Sequence, residues 1–168
     1  MKNNKVYLLA LATFLSLSAC SRPSAQAPAN GVKNSNSVAA TTMPDACGLL
    51  TKEIAESVLG PLTDPPKTDG SNAYTSNCMY LAPDFSAVTL MVTGGGTFEQ
   101  SFQASKGISG VDAIRMDGIG EGAFWAGGAL NQLNVLKNGK WMIFMAPGAG
   151  DDQQKVLTEV AQKVLANQ

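Results

Sequence analysis

The chain has 168 residues, with 12 Lys and Arg against 13 Asp and Glu, no histidine and three cysteines. Four of the basic residues (Lys2, Lys5, Arg22, Lys33) and none of the acidic ones precede residue 45, so residues 45–168 carry a net charge near −5. That balance speaks against nucleic acid, whose phosphates demand clustered basic residues, and against docking flat on an anionic membrane.

Behind Lys2 and Lys5, residues 6–17 form an uncharged, mostly apolar run that leads into Leu17-Ser18-Ala19-Cys20. Spanning a bilayer takes about 20 apolar residues, so this run is too short to cross one. A basic start, an apolar middle and small residues before a cysteine have the form of a cleaved lipoprotein signal over 1–19, with Cys20 as the lipidation site. The plainer alternative is a secretory signal cut near Ala19. Each acyl chain on Cys20 contributes about 0.8 kcal/mol per buried CH₂, so two or more chains hold firmly. Ser21 rather than Asp follows the cysteine, which resembles sorting to an outer membrane facing the periplasm. The expected partner at this end is therefore the membrane itself, through the anchor.

Residues 20–44 are the lipidated cysteine and a stretch dominated by Ser, Ala, Asn, Pro and Gly. Such a composition cannot bury enough apolar surface to offset its ordering entropy, and it reads as a flexible tether. Residues 45–168 make a single globular domain of ordinary size.

With Cys20 assigned to lipid, Cys47 and Cys78 remain, in a compartment where disulfides persist. A structural bridge between them is expected. The rival readings are a reactive thiol or a metal pair, but without histidine or a close Cys-x-x-Cys zinc has almost no ligands to use.

Within the domain, Thr51 is a helix N-cap, and Ile54, Ala55, Val58 and Leu59 repeat at helical spacing until Gly60. A first strand is expected before the turn-like Leu81-Ala82-Pro83-Asp84-Phe85, and Ala87 to Thr93 is the clearest strand, rich in β-branched residues. Gly94-Gly95-Gly96 breaks it. Thr97 then caps a helix to about Lys106 with Phe98 and Phe102 on one face. Val111 to Met116 reads as a strand, the bend Gly118-Ile119-Gly120-Glu121-Gly122 leads into Ala123-Phe124-Trp125, and Asn138-Gly139 between two apolar runs predicts a type I′ hairpin. That register sets Leu136 opposite Trp141, Val135 opposite Met142 and Leu133 opposite Phe144. Leu133, Val135, Met142 and Phe144 form the core face. A last helix starts at Asp151 or Asp152, with Val156, Leu157, Val160, Ala161, Val164 and Leu165 as its apolar stripe. No crossover pattern demands parallel strands, so the expected class is α+β, a mainly antiparallel sheet flanked by helices.

Cys47-Gly48-Leu49-Leu50-Thr51, then Leu59-Gly60, then Cys78-Met79-Tyr80, together with Gly118-Ile119-Gly120 before Ala123-Phe124 and the hairpin near Trp141, resemble a family of small bacterial lipoproteins of unknown function. The resemblance runs over residues 45–168. It implies a PsbP-like α/β/α sandwich and a Cys47–Cys78 bridge, and it supplies no chemistry. One departure is visible. That family often places Glu three residues after the Thr, where this chain has Ile54; Glu53 stands one place early, which removes the reciprocal cap.

No catalytic set emerges. A Ser-His-Asp or Cys-His arrangement is impossible without histidine. Glu121, near Phe124 and Trp125, leaves a carboxylate-based wall hydrolase conceivable, against the plainer reading of a solvated residue in a glycine-shaped turn. Gly118-x-Gly120-x-x-Ala123 loosely matches a dinucleotide fingerprint but lacks the strand-turn-helix context. Gly94-Gly95-Gly96 before a capped helix could cradle an anion, although simply turning the chain is the plainer reading. Trp141, with Leu136 and Ile143 beside it on the half-polar face of the hairpin, is a candidate partner-binding anchor. The competing reading, that the last helix covers Trp141, is the one favoured. Neither a metal nor a cofactor is expected. The chain thus reads as a lipid-anchored, non-enzymatic envelope protein that binds a protein or small ligand; the alternative is a periplasmic inhibitor or immunity protein whose partner is a toxic enzyme.

Overall fold

The computed structural model describes residues 43–108, 110–150 and 152–168. The signal reading of 1–19, Cys20 and nearly all of the tether lie outside the described residues.

Local chemistry sets each boundary. Asp45 accepts a hydrogen bond from the Cys47 amide and opens a one-turn helix, α1 (Ala46–Leu49). Thr51 Oγ1 accepts from the Ile54 amide at 3.4 Å and opens α2 (Lys52–Leu59), which Gly60 ends at φ 78°. The strands β1 (Thr75–Leu81) and β2 (Ala87–Gly94) follow. Thr97 and Gln100 cap each other reciprocally at the start of α3 (Phe98–Lys106). Next come β3 (Ala113–Met116), β4 (Gly122–Ala126), β5 (Gln132–Lys137) and β6 (Lys140–Met145). Asp152 caps α4 (Gln153–Ala166).

The six strands form one sheet in the order β1-β2-β6-β5-β4-β3, and every neighbouring pair is antiparallel. The fold is α+β, an antiparallel sheet with helices on both faces. Side chains alternate between faces with period two, and both faces here are partly apolar, so each needs cover. One face presents Tyr80, Leu90, Leu133, Val135, Met142 and Phe144, which pack with Ile54 and Ala55 of α2 and with Leu157, Val160 and Val164 of α4. The other presents Phe124, Ala126 and Trp141 to Phe102 of α3. Fully burying one large aliphatic or aromatic side chain stabilises the fold by about 1.5–3 kcal/mol, so the first cluster dominates.

The hairpin register is as read from Asn138-Gly139: Leu136 faces Trp141, Val135 faces Met142 and Leu133 faces Phe144. Asn138 and Gly139 both adopt positive φ, 51° and 67°. Two elements differ from expectation. The strand placed at Val111 begins at Ala113, because the Val111 amide closes a turn onto the Ile108 carbonyl at 3.2 Å. Helix α1 was not foreseen, since four residues are too few to display a helical period.

Candidate functional site

Cys47 and Cys78 are joined by a disulfide with their Cα atoms 5.0 Å apart. The bond ties α1 to β1, where the Ala46 amide also donates to Ser76 Oγ at 2.9 Å. Cys78 is wholly buried. This pair is therefore structural in its setting, and neither sulfur is a free thiol.

Above the other face of the sheet, Phe98 of α3 stacks on Trp141 at 6.3 Å between ring centroids, and Phe124 meets Trp141 edge-on at 5.8 Å. Phe102 closes the group against Phe124 at 5.6 Å. The Arg115 guanidinium lies over Phe98 and Phe102, 5.0 and 4.4 Å from their centroids, and is held there by Glu99. Trp141 is consequently only 5% exposed. It is not an outward anchor for a partner, and the element that covers it is α3 rather than the last helix. Helix α4 packs on the opposite face, where its stripe meets Leu133 and Val135. The Phe98/Phe102 spacing was legible in the sequence; where the pair would land was not, because spacing within a helix says nothing about which sheet face it meets.

Leu136 sits half-buried at the rim of the aromatic group. Ile143 is half-buried too, and pairing places it beside Met91 of β2, with Met145 and Met79 on either side of Thr89 one row on. These side chains share the part of the face beyond α3 and are partly exposed. Next to them a shallow groove of about 380 Å³ is lined by Thr89, Leu130, Asn131, Met145 and Pro147. Of the three candidate partner-binding residues, Leu136 and Ile143 thus border accessible surface and Trp141 does not.

Two donors on this face are buried without a partner among the described residues, Asn134 Nδ2 and Trp141 Nε1. Asn134 Oδ1 accepts from Gln132 Nε2 at 3.1 Å, so only its amide nitrogen is left over. Asn134 lies on the half-polar face of the hairpin together with Trp141 and Ile143, yet it is only 4% exposed.

Glu121 has a task in the backbone. Its amide donates to the Leu136 carbonyl at 2.8 Å, and its carboxylate accepts from the Asn138 amide at 2.9 Å, fastening the glycine bend to the hairpin turn. Gly118 and Gly120 in that bend have φ of 76° and 60°. Phe124 and Trp125 beside it are both buried.

Three exposed carboxyls are held below their ordinary range. Glu53 is stabilised first by its own amide and then by the Thr51 hydroxyl. Asp84 is held by the Ser86 hydroxyl and amide, and Glu99 by Gln103 and then Arg115. Burial pushes the Tyr80 phenol up, helped by Glu53 and Asp45. Each of these shifts has its cause in a structural contact.

Among the described residues, no group of His, Cys, Asp and Glu is arranged to hold a metal ion, and no helix is long and apolar enough to cross a membrane. No family model, curated protein or solved structure matches the chain.

Proposed function

We propose that the chain is a lipid-anchored protein of the bacterial cell envelope whose folded domain binds a protein or small ligand without catalysing a reaction. The observation that carries this reading is the Cys47–Cys78 bridge. It suits an oxidising compartment, and it accounts for two of three cysteines, leaving to lipid the one that follows Leu17-Ser18-Ala19. The resemblance to small lipoproteins carries the same reading. The open part of the sheet face, with Ile143, Met91 and Met145 half-exposed beside a groove, is the surface we assign to binding. Unbranched, polarisable methionines suit a surface that must adapt to what it meets.

Metabolic labelling with palmitate, followed by mass analysis of the N-terminal peptide, tests the anchor. Label on Cys20 that is lost in Cys20→Ser is the expected result. An unlabelled, unmodified thiol in native material overturns it.

The acidic balance of residues 45–168 favours a second purpose for the same anchored domain, that of an inhibitor or immunity protein blocking a toxic enzyme. Affinity capture from detergent extracts separates the two purposes. A stoichiometric secreted enzyme belongs to the inhibitor, and resident envelope components belong to the first reading. Glu121→Gln, assayed on cell-wall fragments beside the parent protein, tests the hydrolase; equal absence of product ends it.

A further inference from the structure

The open part of the α3 face has a floor, a wall and a marked end. Strands β1, β2 and β6 make the floor, where pairing lines up Asn77, Met91 and Ile143 in one row and Met79, Thr89 and Met145 in the next. Every residue on this side of the three strands is uncharged, and the three methionines, Leu81 and Ile143 are half-buried. The wall is α3, which packs over β3 and β4 and reaches β6 at Trp141. Ser101, 3.5 Å from where a Cβ on Gly96 would stand, marks the flank of α3 turned toward β2, and Ser105 follows one turn on. The charged residues of α3, Glu99 and Lys106, lie instead against Arg115 and Phe102. At the far rim Lys67 pairs with Met79 through two backbone bonds of 2.8 and 2.9 Å, so its exposed side chain shares this side of the sheet. Lys67 has no carboxylate partner among the described residues. The marked end is Phe85, in the turn between β1 and β2. It is 83% exposed, and its φ of 66° is left-handed, where glycine would sit with far less strain. A ring so placed strains the turn and buries nothing, so folding alone does not account for it.

We propose that this floor receives one amphipathic helix of a partner protein, its apolar stripe on the methionines and an acidic flank against Lys67. Three strands about 4.8 Å apart give a width of roughly 14 Å, and a helix with its side chains is about 10–12 Å across. The seven residues of β1 span about 23 Å, the rise of about 15 helical residues. In plan the floor is then roughly 300 Å², well short of the ~800 Å² per partner that a stable pairing of two copies takes. A helix adds to the floor the Ser101–Ser105 flank of α3, where small side chains let two helices approach closely. Methionines adapt to the shape laid on them, and an exposed aromatic at the margin is a common binding anchor. This occupant rests on the binding role assigned above to the open face and does not depend on the lipid anchor.

The test uses the full chain, labelled at its methionine methyls and held in nanodiscs of zwitterionic phospholipid. The probes are three synthetic peptides about 15 residues long: a leucine stripe at helical spacing flanked by glutamates, the same stripe flanked by lysines, and the first composition rearranged to alternate as a strand. The Met79, Met91 and Met145 methyls should shift and saturate with the glutamate-flanked helix, while Met116 and Met142, on the opposite face, stay still. Met91→Asp buries a lone carboxylate under the stripe and should weaken binding about tenfold or more. Lys67→Glu should weaken the glutamate-flanked helix about threefold and strengthen the lysine-flanked one by as much. Phe85→Gly should raise the melting temperature yet weaken binding about fivefold, a combination that a purely structural role does not give. Should Met91→Asp not fold, the Lys67 and Phe85 variants decide. Methyls moved only by the alternating peptide overturn the helix and leave the face a binding surface; methyls moved by no probe remove both. Broadening of the three methyls by spin-labelled lipid alone makes the membrane the occupant, and shifts that follow chain concentration make it a second copy; either overturns the proposal.

Discussion

Phe98 and Trp141 lie nearly parallel, 27° between their planes and 6.3 Å between centroids, and join α3 to the second face of the sheet. Phe98 also stacks on Phe102 and meets Phe124 edge-on, both at 5.9 Å, beneath the Arg115 guanidinium. One side chain thus takes part in three aromatic pairs and a cation–π contact. Aromatic pairs contribute about 0.5–1.5 kcal/mol each beyond the area they bury. Because Phe98 is only half-buried, Phe98→Ala should cost about 2–3 kcal/mol, below the range for a fully buried ring. The same change uncovers the Trp141 ring. Denaturant titration and acrylamide quenching of tryptophan emission check this together: lower stability with unchanged quenching would mean that α3 does not depend on Phe98 for its seat.

Gly120 tests the bend that fastens Glu121 to the hairpin. A Cβ there would lie 2.6 Å from the Leu136 carbonyl oxygen and from Val135 Cγ1, with φ at 60°. Gly139 has a similar φ, 67°, but nothing within 4 Å of where a Cβ would sit. Both positions bear the cost of left-handed backbone for an L residue, about 1–2 kcal/mol. Only Gly120 adds a collision with backbone. Gly120→Ala should therefore destabilise clearly more than Gly139→Ala when the two are melted side by side, and equal losses would show that the bend yields.

The hairpin was legible because three signals coincided in one segment: Asn138-Gly139 requires positive φ, apolar runs flank it, and the register then follows from pairing alone. Thr51, Thr97 and Asp152 were legible as caps for a similar reason, since a cap acts within three residues of itself. What lay beyond reading was decided by tertiary packing. Nothing in the stripe of α4 or the Phe98/Phe102 pair states which sheet face each will meet, so α4 was expected over Trp141 and α3 is found there. Asn134 alternates correctly for the polar face, and only the arrival of neighbours makes it buried. The Phe98–Trp141 stack joins two elements far apart in the chain, and no local pattern announces it.

The Cys47–Cys78 bridge closes a separation of 31 residues. On the chain-entropy account such a closure contributes about 3.7 kcal/mol. Replacing both cysteines with alanine should lower stability by roughly 3–4 kcal/mol by that account, measured by urea titration under non-reducing conditions. The loss should be seen first at α1, which the bond and the Ala46–Ser76 hydrogen bond hold on β1. Hydrogen exchange reports it: protection at Leu49 and Leu50, whose amides bond to Asp45 and Ala46, should fall while the Leu133–Phe144 region keeps its own. Uniform loss across the sheet would contradict a local role.

Acid should weaken the turn between β1 and β2 through Asp84. Its Oδ1 accepts from the Ser86 amide at 3.0 Å and the Ser86 hydroxyl at 2.6 Å, and these bonds hold the carboxyl below its ordinary range. A folded-state value below the unfolded one, about 3.9 for aspartate, gives a contribution that is complete above that unfolded value. It fades as pH falls through the folded value, once both states bind the proton. Asp84→Asn keeps an acceptor of the same shape but has no proton to bind. The parent chain should therefore melt at a higher temperature than Asp84→Asn at pH 7, and the gap should close toward about pH 2. Glu99, held low by Gln103 and Arg115, acts with the same sign, so Glu99→Gln should converge with the parent in the same direction. Tyr80 has the opposite dependence: burial raises its phenol, so its contribution is whole at neutral pH and is lost as pH climbs through the raised folded value. A gap between the parent chain and Asp84→Asn that stays constant from neutral to strongly acidic solution would show that the ionised carboxyl gives that turn nothing a neutral amide does not.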